Sequence, residues 1–152
     1  MPALFDNFGI RFEYPDNWSV EQQPLDPVTG QGGQVIVTSP ETAFWHLSRY
    51  SRDTQPETLF DEALSAIRSE HREMEVLPAN DQIENQSLAG YDVSFFCFEL
   101  TSTATLRAFQ TADATYLIIS QAEDGELQRV ASVFQAMLTS TLRNLTADRS
   151  TL

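Results

Sequence analysis

The sequence predicts an α+β fold, a three-layer α/β/α sandwich around a mainly antiparallel sheet. Three observations predict it. Short apolar segments of strand length are separated by turn residues, one amphipathic helix lies mid-chain and another near the end, and the strand segments carry apolar residues on both faces. A chain of 152 residues, 41% of them hydrophobic, suffices for one domain with a single core and needs no metal or disulfide.

The opening segment is the most informative one. Ile10, Phe12 and Tyr14 alternate onto one face, a Pro15-Asp16-Asn17 turn follows, and a second extended piece starts at Trp18, which reads as an opening hairpin. Residues 23–33 hold two prolines and three glycines and form a loop that leads into a strand at Val35, Ile36, Val37 and Thr38. Residues 42–50 are the next strand, with Ala43, Trp45 and Leu47 on one face and Phe44, His46 and Tyr50 on the other. Thr54-Gln55-Pro56-Glu57 has the form of a capping box with proline in the first turn. Phe60, Ala63, Leu64, Ile67, His71 and Met74 then recur at helical spacing, so the helix is expected to end near residues 74–77, before Pro78.

A meander follows. Residues 83–88 form a weak strand, Ala89-Gly90 a turn, residues 91–101 a strong strand, 103–111 its hairpin partner and 115–121 a third strand. Asp124 opens a final helix whose core face is Leu127, Val130, Ala131, Phe134, Met137, Leu138 and Leu142. Trp18, Phe60, Ile67, Phe95, Phe134 and Leu138 are expected in the core layers. Residues 1–143 thus read as one domain, followed by a polar, frayed tail at 144–152.

Charge narrows the partners. There are 22 acidic residues against 9 basic ones, giving a net charge of -13, and every basic residue is arginine. Such a chain repels phosphate backbones and anionic lipid heads, so nucleic-acid and membrane-surface binding are disfavoured, and a charged partner surface is expected to be basic. The absence of lysine excludes Schiff-base chemistry and the lysine-dependent phosphate loop. Gly30, Gly32 and Gly33 precede a strand, not a helix, and read as a turn. Apolar runs such as Tyr116-Leu117-Ile118-Ile119 are far shorter than the roughly 20 residues of a membrane span. Residues 1–6 show neither a basic nor an apolar signal region, so a cytoplasmic protein is expected, and the triplets at Asn17, Asn85 and Asn144 carry no glycosylation reading.

The opening Phe-Gly-Ile-x-Phe-x-Tyr-Pro-x-x-Trp-x-Val, the middle helix and the closing strand and helix resemble PsbP-like and DcrB-like domains. These share a superfamily with a nuclear-import factor that binds the Ran GTPase. The resemblance implies a three-layer fold used as a non-catalytic adaptor, in a photosystem accessory subunit, a GTPase-binding factor and chaperones for secreted effectors. It implies no cofactor and no family-wide catalytic set.

Few residues offer chemistry. Cys97 lies in an apolar strand and reads as a buried, inert thiol. His71 and Glu75, four apart on the middle helix, would present two metal ligands without a third, so a histidine at the core edge is the favoured reading. His46 has no paired nucleophile to serve as base for. Acidic clusters at Asp61-Glu62, at Glu70, Glu73 and Glu75, and at Glu123, Asp124 and Glu126 lack calcium-loop register and read as solvated helix faces and dipole partners. The candidate partner surface is Trp45, His46, Arg49, Tyr50 and Arg52, residue types common at binding hot spots. A non-enzymatic protein-binding, adaptor or chaperone-like module is expected. The alternative is a small-ligand or cation-binding domain, or a weak hydrolase, using His46 or the pair His71 and Glu75.

Overall fold

Alternation and turn chemistry build nine strands and two helices in the computed structural model. It describes residues 2–30, 32–97 and 99–150, apart from the side chains of Cys97 and of residues 146–150. The expected environment of the Cys97 thiol therefore lies outside the described residues.

A first hairpin pairs β1 (Pro2–Asn7) with β2 (Ile10–Pro15). Its two-residue turn, Phe8-Gly9, has φ of 35° and 82°, and the Asn7 side chain accepts the Phe8 N–H at 2.8 Å. Positive φ at both positions matches the right-handed twist of the strands, and glycine adopts it without strain. The predicted opening hairpin is thereby corrected: residues 10–15 pair backwards with β1, not forwards across Trp18. Strand β3 (Ser19–Leu25) instead joins the main sheet beside β4 (Gly32–Thr38).

The main sheet has seven antiparallel strands in the order β3-β4-β5-β9-β8-β7-β6. Its other members are β5 (Phe44–Ser51), β6 (Met74–Ile83), β7 (Gln86–Cys97), β8 (Leu100–Gln110) and β9 (Ala114–Glu123). Both edge strands contain a proline, Pro24 in β3 and Pro78 in β6, where a missing N–H breaks no ladder bond of a central strand. The expected turn at Ala89-Gly90 lies inside β7. The reversal falls at Glu84-Asn85, with φ of 51° and 64°, a second two-residue hairpin turn.

Helix α1 (Pro56–Glu70) covers one face of the sheet, and α2 (Asp124–Ser150) together with the β1–β2 hairpin covers the other. These are the three layers that the sequence predicts. Leu59 and Phe60 of α1 are buried against Val93, Phe95, Ala104, Leu106 and Leu117, with Ala63, Leu64 and Ile67 packed alongside. On the other face, Phe134, Met137, Leu138 and Leu142 of α2 close over Trp18, Trp45 and Ile118. Phe12 bridges hairpin and sheet, its ring 4.7 Å from Trp45.

Several boundaries differ from expectation. Gln55, not Thr54, precedes the first turn of α1, and no side chain caps it; the Thr54 carbonyl is taken by the Thr115 hydroxyl at 3.1 Å. The helix ends at Glu70, because residues 74–83 are drawn into ten paired positions beside β7. At its other end α2 continues past residue 144 to Ser150, and Leu145 packs against the core.

Candidate functional site

The side chains singled out in the sequence do not form one surface. Trp45 is 1% exposed and belongs to the core under α2. His46 points to the opposite face, half-buried, its Nε2 2.8 Å from Gln34 Oε1 and 3.2 Å from Ser48 Oγ. Burial alone lowers its pKa from 6.5. Arg49 returns to the hairpin side and donates to the Gly30 carbonyl at 3.3 Å, whereas Tyr50 packs towards α1 and Arg52 follows the strand in solvent. Strand alternation separates residues that sit side by side in the sequence.

The pair His71 and Glu75 is likewise undone. His71 is the C-cap of α1, its ring 4.4 Å from that of Phe95 on the α1 face of the sheet. Glu75 lies on β6 opposite Ser94, on the other face, so four-residue helical spacing does not apply. Among the described residues no group of three or more His, Cys, Asp or Glu is arranged to hold a metal ion.

Three other features emerge. The first is an acid that the sequence hid among solvated ones. Glu126, in the first turn of α2, is 3% exposed and accepts the Ser39 hydroxyl at 2.6 Å, the Thr42 N–H at 3.1 Å and the Thr42 hydroxyl at 2.9 Å. Burial pushes its carboxyl up, and the hydrogen bonds from Ser39 and Thr42 outweigh it, holding the group below its ordinary 4.5. Its own N–H is capped by Glu123 Oε2 at 2.9 Å, a role expected of Asp124. Asp124 accepts the Thr103 hydroxyl instead.

The second feature is a cavity of about 340 Å³ between the sheet and α2. Arg107 of β8 forms part of its lining and is only 6% exposed. Its Nε donates to Asp81 at 2.8 Å and its Nη2 to Asp92 at 2.9 Å, while Nη1 donates to the carbonyls of Tyr91 and Leu106. Beside it the Thr105 and Ser120 hydroxyls bond each other. Local sequence gives no signal for this site: Asp81 and Asp92 reach Arg107 only through the register of β6, β7 and β8.

The third feature is a stretch of sheet that α2 leaves bare. The helix packs over β8 and β9 and against β2, and Ile83 and Leu88 near the β6–β7 turn are buried in the same core, so the part of the α2-side face left open is the far end of β6 and β7. There Leu77 is 55% and Phe96 60% exposed. A shallow depression of about 510 Å³ beside Phe96 is walled by Glu75, Ser94 and Thr101, with Arg72 and Glu73 at its edge.

No family model matches the chain, and no curated protein matches it in sequence. Solved structures do match in shape. The solution structure of cyanobacterial PsbP (CyanoP) from Synechocystis has a TM-score of 0.56 at 11% identity, covering 91% of this chain and 90% of that one. PA94 from Pseudomonas aeruginosa, a protein of unknown function, has a TM-score of 0.51 at 12% identity, covering 91% and 94%. LpqN of Mycobacterium tuberculosis, involved in cell envelope biogenesis, has a TM-score of 0.49 at 13% identity, covering 90% and 80%. No helix among the described residues is long and apolar enough to cross a membrane. Seven antiparallel strands between one helix and a helix-plus-hairpin layer, matched over nine-tenths of its length, give this chain a PsbP-like fold.

Proposed function

We propose that this protein is a non-catalytic protein-binding module that docks a basic partner on the open face of β6 and β7. The observation that carries the reading is the exposure of Leu77 and Phe96 at the end of β6 and β7 that α2 leaves open. Large exposed apolar side chains on a strand pair are the usual core of an interface, and a polar rim completes one. Here the rim beside Phe96 carries two acids, Glu73 and Glu75, against one arginine, Arg72, on a chain of net charge -13. Complementarity therefore selects a partner with a basic surface around an apolar centre. Trp45, His46, Arg49, Tyr50 and Arg52 are not part of this face.

The test is capture followed by mapping. A partner retained by the wild-type chain should be lost by the double variant Leu77→Ser/Phe96→Ser, which leaves the buried core untouched. Hydrogen exchange in the complex should show protection on β6 and β7. Protection elsewhere, or undiminished binding by the double variant, would overturn the proposal.

A further inference from the structure

The cavity under α2 carries chemistry that the open face of β6 and β7 does not use. Its volume, about 340 Å³, lies at the lower end of small-ligand pockets, roughly 300–1,000 Å³. The wall formed by the sheet is polar, with Asp81, Asp92, Arg107 and the hydroxyls of Thr103, Thr105 and Ser120. The wall formed by α2 is largely apolar, with Leu127, Phe134 and Leu138, and Trp45 closes the sheet side. Such a division suits a ligand with one polar end and an apolar body.

Charge decides which polar end. The Arg107 guanidinium is held by two carboxylates and two carbonyls, so its donors are committed and it is no anion clamp. Two carboxylates against one guanidinium leave one negative charge in the wall. In a partly desolvated cavity that excess favours a cation. The donors do not favour a metal ion, since the described residues bring no third carboxylate, imidazole or thiolate to the two aspartates.

We propose that this cavity binds a small organic cation with an apolar body. Its ammonium lies against Asp81 and Asp92, and its body lies between Trp45 and the Phe134 side of α2. The site borders the docking face, where Asp92 pairs with Leu77, and does not depend on the protein-binding reading.

Calorimetric titration of the full chain at low salt tests the proposal with two probes of one shape, 2-phenylethylammonium and 2-phenylethanol. The ammonium should bind saturably at one site, at least about tenfold more tightly than the alcohol, as one charge-assisted contact implies. Asp92→Asn should weaken ammonium binding by about tenfold. Ala131→Phe, which fills the cavity from α2 and removes no polar contact, should abolish it while the melting temperature holds. The second variant decides the matter even if the first disturbs Arg107. Absence of ammonium binding, equal binding of the alcohol, or unchanged binding to Ala131→Phe would overturn the proposal.

Discussion

Glu126 and Ser39 meet at 2.6 Å across 87 residues of sequence, and this contact fastens the loop between β4 and β5 to the first turn of α2. The carboxylate gathers three donors there and is itself nearly sealed from water. Replacing it with alanine strands the Ser39 hydroxyl and both donors of Thr42. Glu126→Ala should therefore cost about 3 kcal/mol in urea unfolding, and Glu126→Gln clearly less. Because the folded carboxyl titrates below 4.5, the unfolded chain takes up the proton first as pH falls. The stabilisation is complete above pH 4.5, is lost as pH drops through the lower folded value, and should be missing from the profile of Glu126→Gln.

His46 adds a second pH dependence at a different place. Its burial keeps it neutral in the fold at pH values where the unfolded chain is already protonated. Stability should decline as pH falls below 6.5 and level off once the folded imidazole also protonates. A His46→Gln variant should lack this decline in denaturant midpoints measured between pH 7.5 and 5. An identical slope in variant and parent would place the titration elsewhere.

Gly90 faces the β8 backbone more closely than a side chain allows. A Cβ at this position would lie 1.8 Å from the Leu106 carbonyl oxygen, and backbone cannot swing aside as a side-chain tip can. Gly90→Ala should reach or exceed the upper end of the ~1–3 kcal/mol typical of overpacking. It would be read as a lowered urea midpoint, and wild-type stability would show that β7 and β8 can separate at this pair.

Phe134 ties α2 to the sheet through Trp18, whose ring stands edge-on to it at 6.0 Å. Phe134→Ala should cost about 3–5 kcal/mol and shift tryptophan emission to the red as water reaches the indole. Unchanged melting would contradict the packing of α2 described above.

Salt should report on the partner. With net charge -13, long-range attraction to a basic surface is screened beyond about 10 Å at 0.1 M salt, so the on-rate should fall as salt rises. The off-rate depends more on the desolvated Leu77 and Phe96 contacts and should change less. Stopped-flow mixing at low and high salt separates the two, and a salt-indifferent on-rate would mean that the acidity does not steer association.

The parts of this protein that one segment can encode were readable from its residues. Ile10 and Phe12 are buried because alternation is a property of a single strand, and Phe134, Met137, Leu138 and Leu142 share a face because helical periodicity is too. What pairs with what was settled only in three dimensions. Residues 2–7 carry little apolar alternation and become β1 by pairing with β2, while His71 and Met74 keep the helical spacing of α1 yet leave the helix as β6 pairs with β7. Nor does anything local mark Arg107 among nine arginines or Glu126 among its acidic neighbours. Arg107 is set apart by Asp81 and Asp92, 26 and 15 residues away, and Glu126 by Ser39, 87 away. A buried charge is defined by the partners that desolvate and satisfy it, and those partners arrive through strand register and helix docking, which no local pattern contains.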